Sequence, residues 1–303
     1  MGQKVNPEVS IIIVNYFSED EILNCCRSII TMTPDIEFEV ILVSNSQLED
    51  EFKDHFEKYT FPKKIIQSNT NLGFGTACNL GAAQAKGQYL FFLNPDTVFC
   101  NNVISNFKFC LKNHHSIGII GPKTFSENNQ LIPSAKHELS VGYFVVLVFP
   151  FLDKVFKQAS RYNNYTPDAS EFVPVLNGHA LFLSRDLFDK LCGFDEQFFM
   201  YWEENDLCLR ASSLGYNNYY CSEAELTHVA GTSTSPYFLK MEIEKHRSQK
   251  AFIKKHYPYW NWLNRISGIL GYFWRITGSV IANNRDKSRQ FWTLLKWYSF
   301  NYR

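Results

Sequence analysis

The chain has 303 residues, enough for one large α/β domain or a domain with an appended module, and 45% of them are hydrophobic, so it can bury a sizeable core. Its 30 Lys and Arg balance 30 Asp and Glu, a net charge of zero that argues against nucleic acid as a partner while leaving room for a local basic patch. Aromatic residues make up 16%, with 27 Phe, 16 Tyr and 6 Trp, a load that hints at apolar surface beyond an ordinary core.

Val9 to Val14 is a β-branched run ending at Asn15-Tyr16, and Glu19 to Thr31 carries apolar residues at Ile22, Leu23, Cys26, Ile29 and Ile30. The pattern predicts a strand and then an amphipathic helix. Phe38 to Val43 reads as a second buried strand ending in Ser44-Asn45-Ser46, followed by an acidic helix from Leu48 to Tyr59. Lys64 to Gln67 makes a short third strand, and Ser68 to Leu72 leads into a helix from about Gly73 to Lys86 that Gly87 is placed to stop. Tyr89 to Leu93 is an unbroken apolar and aromatic run, a strand buried on both faces. It breaks off at Asn94-Pro95-Asp96, because proline cannot continue a central ladder. Strands and helices alternating with short connections imply a parallel sheet with right-handed crossovers, whose ligands bind beyond the carboxyl ends of the strands. Asn15-Tyr16, Ser44-Asn45, Ser68 to Asn71 and Asn94 to Asp96 are therefore expected along one crevice. Asp96 there suits oxygen ligation of a divalent cation, and an Asx turn closing the strand explains it as well.

Further on, Val103 to Asn113 is helical, Ile117 to Ile120 is a strand, and Phe125 to Gln130 is a hairpin or loop. Residues 131–172 form an excursion with an aromatic core, Val141 to Phe156, read either as a mobile flap against an amphiphilic partner or as a buried helix. The apolar run Val141 to Leu152, interrupted by Gly142 and Pro150, falls short of the roughly 20 residues that span a bilayer, so no transmembrane helix is expected. Met1 to Glu8 lacks the apolar stretch of a signal peptide, and 8 Cys without a Cys-x-x-Cys pair read as reduced thiols of an intracellular protein. Val175 to Ser184 returns to strand, Arg185 to Leu191 is a short helix, Glu203 to Leu214 is a helix closed by Gly215, and Tyr219 to Cys221 is strand-like.

Several chemistries are excluded. Gly73-Phe74-Gly75 fails as a dinucleotide fingerprint because Cys78 stands where its third Gly belongs and the motif follows the third strand. No Gly-x-x-x-x-Gly-Lys phosphate loop and no Gly-x-Ser-x-Gly elbow occurs. Two constellations remain. Glu203-Glu204-Asn205-Asp206 follows the aromatic segment Phe198-Phe199-Met200-Tyr201-Trp202. Such acids can simply compensate a helix dipole, or, partly desolvated beside rings on which a sugar stacks, one can act as a general base. His228 precedes Gly231 and the hydroxyl-rich Thr232-Ser233-Thr234, a loop suited to closing over phosphate, and opposite Asp96 it would complete a mixed oxygen and nitrogen site for Mn²⁺ or Mg²⁺.

With these stretches in hand, residues 9–235 resemble the inverting family 2 glycosyltransferases of GT-A fold, and more narrowly the bacterial rhamnosyltransferases of O-antigen and cell-wall assembly. The resemblance rests on Ser10 to Tyr16, Asn71-Leu72-Gly73-Phe74-Gly75 with Asn79, Asn94-Pro95-Asp96 in place of the family's Asp-x-Asp, Gly193-Phe194-Asp195-Glu196 running on to Leu207, and His228 with Gly231. It implies that Asp96 binds a Mn²⁺ or Mg²⁺ bridging the donor diphosphate, with His228 as a further ligand. Asn15, Tyr16, Ser44, Asn45, Asn71, Gly73, Asn79 and Asn94 would belong to the nucleotide-sugar site. Glu204 would be the catalytic base with Glu203 as alternate, and Asp206 would orient the acceptor or the helix. The implied donor is dTDP-L-rhamnose and the acceptor a lipid-linked saccharide. Two departures stand out: Ser44 replaces the Asp that usually contacts base or ribose, and the base is Glu rather than Asp.

From Tyr257 the chain turns aromatic and basic, with Asp286 the only acid. The mix suits an amphipathic surface on anionic membrane, or else a helical packing or dimer module with a basic outer face. The expected organisation is thus a GT-A domain over 1–240, with halves at 1–115 and 116–240, and a helical, membrane-associating extension over 241–303. The protein is expected to be cytoplasmic, peripheral on the inner face of the bacterial plasma membrane, with a homo-oligomer left open. The rival expectation is a non-catalytic sugar-nucleotide or saccharide-binding subunit of a membrane-associated assembly complex.

Overall fold

In the computed structural model, which describes residues 7–149, 152, 165–229 and 238–300, Val9–Asn15 (β1) is buried at every position. It pairs in parallel with Phe38–Ser44 (β2) and Tyr89–Leu93 (β4), and Lys63–Gln67 (β3) lies outside β2. Strands covered on both faces need apolar residues at successive positions, which is why these runs do not alternate. Glu19–Met32 (α1) and Asp50–Glu57 (α2) pack Ile22, Cys26, Ile29, Phe52 and Phe56 on one face, and Phe74–Ala82 (α3) packs Ala77, Cys78 and Ala82 on the other. Register sets Asn15 beside Ser44 and Ser44 beside Gln67, so these strands end along one edge.

Beyond β4 the sheet continues through Ala180–Ser184 (β11), Ile117–Phe125 (β6), Asn217–His228 (β12) and Thr97–Phe99 (β5), in the order β3-β2-β1-β4-β11-β6-β12-β5. Leu131–Ile132 (β7) forms a hairpin with β6, and Glu171–Val173 (β9) flanks β12. Ala135–Lys136 (β8) pairs with Val175–Leu176 (β10) as a separate ribbon. Val103–Asn113 (α4), capped by the Asn102 side chain, Arg185–Lys190 (α6) and Glu203–Ser213 (α7) cover the faces.

Three local expectations change. β6 and β12 run well past Ile120 and Cys221, because Lys123, Thr124 and Ser222 to Glu225 hide strand character behind polar residues. α3 ends at Ala82, not Lys86, and Gly87 is not left-handed; a Cβ there would lie 2.5 Å from the Ser10 nitrogen, so its smallness lets the chain close onto β1. The segment Val175 to Ser184 divides into β10 and β11 around Asn177-Gly178-His179.

The chain forms two compact units: Met1–Lys136 with Asn164–Phe199 and Glu203–Ser233, and His137–Asn163 with Met200–Trp202 and Thr234–Arg303. The second contains Val141–Val148 (α5), Phe238–His256 (α8), Asn261–Ile281 (α9) and Arg285–Phe300 (α10). Tyr272, Leu294, Trp297 and Tyr298 are its apolar centre, and Tyr143 and Phe144 are buried on α5. Of the two readings of Val141 to Phe156, the described part is the packed helix; Lys154 and Lys157 lie outside the described residues. No helix among the described residues is long and apolar enough to cross a membrane, and all eight cysteines are free.

Candidate active site

Pro95 ends β4, the chain turns, and β5 runs antiparallel to the end of β12, so Thr97 faces His228 and the Val229 N–H donates to the Asp96 carbonyl at 2.8 Å. That pairing brings together two side chains far apart in sequence: His228 Nε2 lies 3.1 Å from Asp96 Oδ1. The contact is close but not aligned as a hydrogen bond, and Asp96 Oδ1 is buried without a hydrogen-bond partner among the described residues. A buried carboxylate oxygen left unpaired beside an imidazole nitrogen is a donor set that fits Mn²⁺ or Mg²⁺.

His179 stacks on His228, ring centroids 5.0 Å apart and 15° from parallel. Its Nε2 shares a hydrogen bond of 2.8 Å with Thr124 Oγ1, and its carbonyl accepts the Asn94 N–H at 2.8 Å. Burial first, with the neighbouring His228 ring and the Lys136 ammonium acting in the same direction, pushes its imidazole down to about 3, so the ring is neutral. The preceding Gly178 lies against Glu204, where an added Cβ would be 3.3 Å from the Glu204 Cβ. One short loop therefore touches both the Asp96–His228 pair and the acids of α7.

Those acids crowd the first turn of α7, and Glu203, Glu204, Asn205 and Asp206 are all buried. Lys136 Nζ donates to Glu204 Oε1 at 2.5 Å and to Asn205 Oδ1 at 3.1 Å, while Glu204 Oε2 has no hydrogen-bond partner among the described residues. Glu203 makes no direct ion pair among the described residues, and Lys136 acts on it only from a distance. Burial first, and the negative charge of Glu204 second, hold its carboxyl well above the usual carboxylate range. Asp206 is bound instead by Arg210 Nε at 2.6 Å, and the other guanidinium nitrogens donate to the carbonyls of Leu191 and Gly193 at 2.5 and 2.9 Å. This acid fixes the turn before Phe194.

The residues expected around the nucleotide sugar separate into two groups. Asn15 and Ser44 are fully buried and bonded to the chain itself: Asn15 Nδ2 donates to Ser44 Oγ at 2.8 Å, and Ser44 Oγ donates to the Ser46 carbonyl at 2.6 Å. Asn45 bonds the Gly73 carbonyl and the Leu72 N–H, and Asn79 grips both backbone polar groups of Phe194. Asn71 Oδ1 accepts the Gly73 N–H at 2.9 Å. Gly73 is left-handed at φ +81°, and its smallness lets Phe74 N–H reach the Phe199 carbonyl at 2.9 Å. Tyr16, Asn71, Asn94 and Asp96 stay partly open to solvent at the edge.

Three residues escape the sequence reading. Phe17, 67% exposed and held at φ +55°, packs edge-on against Tyr16 at 4.7 Å. Lys136 lies in a polar stretch with no local signal. His179 precedes the buried run of β11, whose antiparallel direction puts its start at the edge where the parallel strands end. An all-parallel reading hides it. Gly231 and Thr232 to Thr234 lie outside the described residues.

Residues 10–188 match the family model described as Glycosyl transferase family 2. The Mycobacterium tuberculosis protein named N-acetylglucosaminyl-diphospho-decaprenol L-rhamnosyltransferase is 26% identical over 211 residues, covering 65% of this chain and 68% of its own. Among solved structures, the Pyrobaculum calidifontis mannosyltransferase PcManGT in complex with GDP-Man and Mn²⁺ has a TM-score of 0.57 at 12% identity, over 98% of this chain and 87% of that one. GalNAc-T7 with UDP, GalNAc and Mn²⁺ has a TM-score of 0.56 at 14% identity over 84% of this chain, which spans only 53% of the GalNAc-T7 chain. These two likenesses concern the fold alone, which is GT-A. Because the family match covers more than half of its length, the chain belongs to glycosyltransferase family 2 and is a glycosyltransferase related to rhamnosyltransferases.

Proposed function

We propose that the protein is a metal-dependent, inverting rhamnosyltransferase that moves L-rhamnose from dTDP-rhamnose onto a lipid-linked saccharide in O-antigen or lipopolysaccharide biosynthesis. The observation that carries the metal-dependent part is the approach of Asp96 Oδ1 to His228 Nε2 with the oxygen left unpaired. The rhamnosyl donor and the lipid-linked acceptor follow the name of the mycobacterial relative. Asp96 and His228 would hold Mn²⁺ or Mg²⁺, which supplies charge neutralisation for the departing nucleoside diphosphate.

The acceptor hydroxyl oxygen attacks the anomeric carbon, the bond to the diphosphate oxygen breaks on the opposite face, and the configuration inverts. Glu204 takes the hydroxyl proton on its unpaired Oε2, while Lys136 holds Oε1. Tyr16 and Phe17 offer rings to the donor base, and Asn71 and Asn94 are partly open to solvent to meet the rest of the donor. Asn15, Ser44, Asn45, Asn79 and Gly73 act from behind by holding the loops, and Asp206 does so through Arg210.

The assay is release of nucleoside diphosphate from dTDP-rhamnose and other common donors with Mn²⁺, comparing wild type with Asp96→Ala. The expected loss is at least about 100-fold, the scale on which transition-state charge stabilisation is felt. If no donor gives metal-dependent release, the enzyme reading of this site falls, and a binding subunit takes its place.

A membrane-surface location, peripheral on the cytoplasmic leaflet, is supported by the exposed face of α9. Trp262, Ile266, Leu270 and Phe273 follow helical spacing there, and exposed Arg285, Lys287 and Arg289 open α10. Apolar wedges beside basic groups suit anionic headgroups. Full-length protein should float with anionic vesicles and stay below with neutral ones, and Trp262→Ala with Phe273→Ala should release it. Equal recovery with both lipids refutes the attachment.

A further inference from the structure

We propose that Cys110, Cys221 and Glu223 form a binding site for one thiophilic divalent cation of the Zn²⁺ class, separate from the transfer chemistry. Among the described residues they form the single group of three or more His, Cys, Asp or Glu whose ligand atoms all lie within 4.8 Å of one another. Cys110 Sγ is 3.2 Å from Cys221 Sγ, and Cys221 Sγ is 3.6 Å from Glu223 Oε2. Tetrahedral Zn²⁺ with ordinary bond lengths sets sulfur–sulfur and sulfur–oxygen separations of roughly 3.5–3.8 Å, so small adjustments seat the ion.

The local fold builds this arrangement. β12 pairs in register with β6 from Asn218 opposite Ile119 to Cys221 opposite Pro122 and resumes at Glu225 opposite Lys123, so the residues between bulge out. The bulge carries Glu223 back over Cys221. Ser170 Oγ donates to Glu223 Oε2 at 2.5 Å, the kind of outer contact that orients a ligating carboxylate. The two cysteines are buried while Glu223 is exposed, which gives an ion a path from solvent and leaves a fourth position for water.

Cys110 and Cys221 belong to the core cluster on one face of the sheet, and Leu207 and Cys208 of α7 to the cluster on the other. An ion here would staple α4 to the bulge of β12, not enter the reaction. Binding would release the thiol protons, with one cation bound to two thiolates and one carboxylate.

The test is a Co²⁺ titration of reduced, chelator-treated full-length protein, read by sulfur-to-cobalt charge-transfer absorption in the near ultraviolet. One equivalent should develop the band, and Zn²⁺ should abolish it. Cys110→Ser and Cys221→Ser should lose it, and Glu223→Gln, an exposed change that leaves the core intact, should weaken binding about tenfold or more. In wild type, Zn²⁺ should protect Cys110 and Cys221 from alkylation and raise the melting temperature. No charge-transfer band, a band that survives Cys221→Ser, or protection confined to other cysteines overturns the site.

Discussion

Glu203 and Glu204 are successive residues of α7, yet among the described residues only Glu204 is in direct contact with an ammonium group, that of Lys136. If Glu204 is the base, Glu204→Gln should lower transfer by about 10²- to 10⁴-fold without weakening donor binding, as measured by steady-state rates and donor titration. Glu203 behaves differently. Its carboxyl is raised in the folded state, so above the ordinary value near 4.5 the folded protein binds more protons than the unfolded chain. Stability then falls as pH rises through that window, and the loss is complete above the folded value. Glu203→Gln should therefore raise the melting temperature at neutral pH and flatten this part of the pH profile, leaving transfer largely intact. An unchanged profile would show that Glu203 does not carry the proton. Lys136→Met should cost about 3–5 kcal/mol in urea unfolding, because it strands a buried carboxylate, and adding Glu204→Gln should restore most of that.

At the scale of elements, what decides whether Asp96 and His228 meet is the three-residue β5, paired with the end of β12. The apolar runs of β1, β2 and β4 are legible in sequence because burial on both faces demands unbroken hydrophobicity. β5 is too short to show a period, and β12 buries polar groups, so their pairing leaves no local trace. His179 is hidden for a different reason: strand direction is a tertiary property, and β11 runs against its neighbours. The loops are more readable. Gly73 and Gly215 both stand at positive φ, +81° and +84°, but a Cβ on Gly73 would collide with the Phe199 carbonyl oxygen, whereas nothing lies within 4 Å of one on Gly215. Gly215→Ala should thus cost only the backbone strain, roughly 1 kcal/mol, and Gly73→Ala clearly more, because the loop entering α3 must also move. Urea unfolding of the two variants compares them directly, and equal costs would mean that the Phe199 contact yields freely.

Across the whole molecule, ionisation and tryptophan content are unevenly distributed. All six tryptophans, Trp202, Trp260, Trp262, Trp274, Trp292 and Trp297, fall in the second compact unit, so tryptophan emission reports on that unit's packing alone. At its centre His246 shares hydrogen bonds with Tyr272 OH at 2.5 Å and Tyr298 OH at 2.8 Å, and Gln249 lies beside it. Burial pushes its imidazole down to about 3, with the positive charges of Lys245 and Arg275 acting in the same direction. The hydrogen bond with the Gln249 side chain acts the other way, but desolvation outweighs it, and the Glu242 carboxylate lies 3.8 Å away. The unfolded chain then binds a proton near pH 6.5 that the folded unit refuses until about 3, so stability drains away as pH falls between those values. Each tenfold difference in proton affinity between the two states is worth about 1.4 kcal/mol, so the full loss is on the order of 4–5 kcal/mol. The urea midpoint of the tryptophan transition should therefore drop steadily from pH 7 to pH 4. In His246→Gln, whose side chain is neutral throughout, that part of the slope should disappear. A wild-type midpoint indifferent to pH over this range would mean that the ring accepts its proton in place, with Glu242 and the tyrosine hydroxyls stabilising the cation.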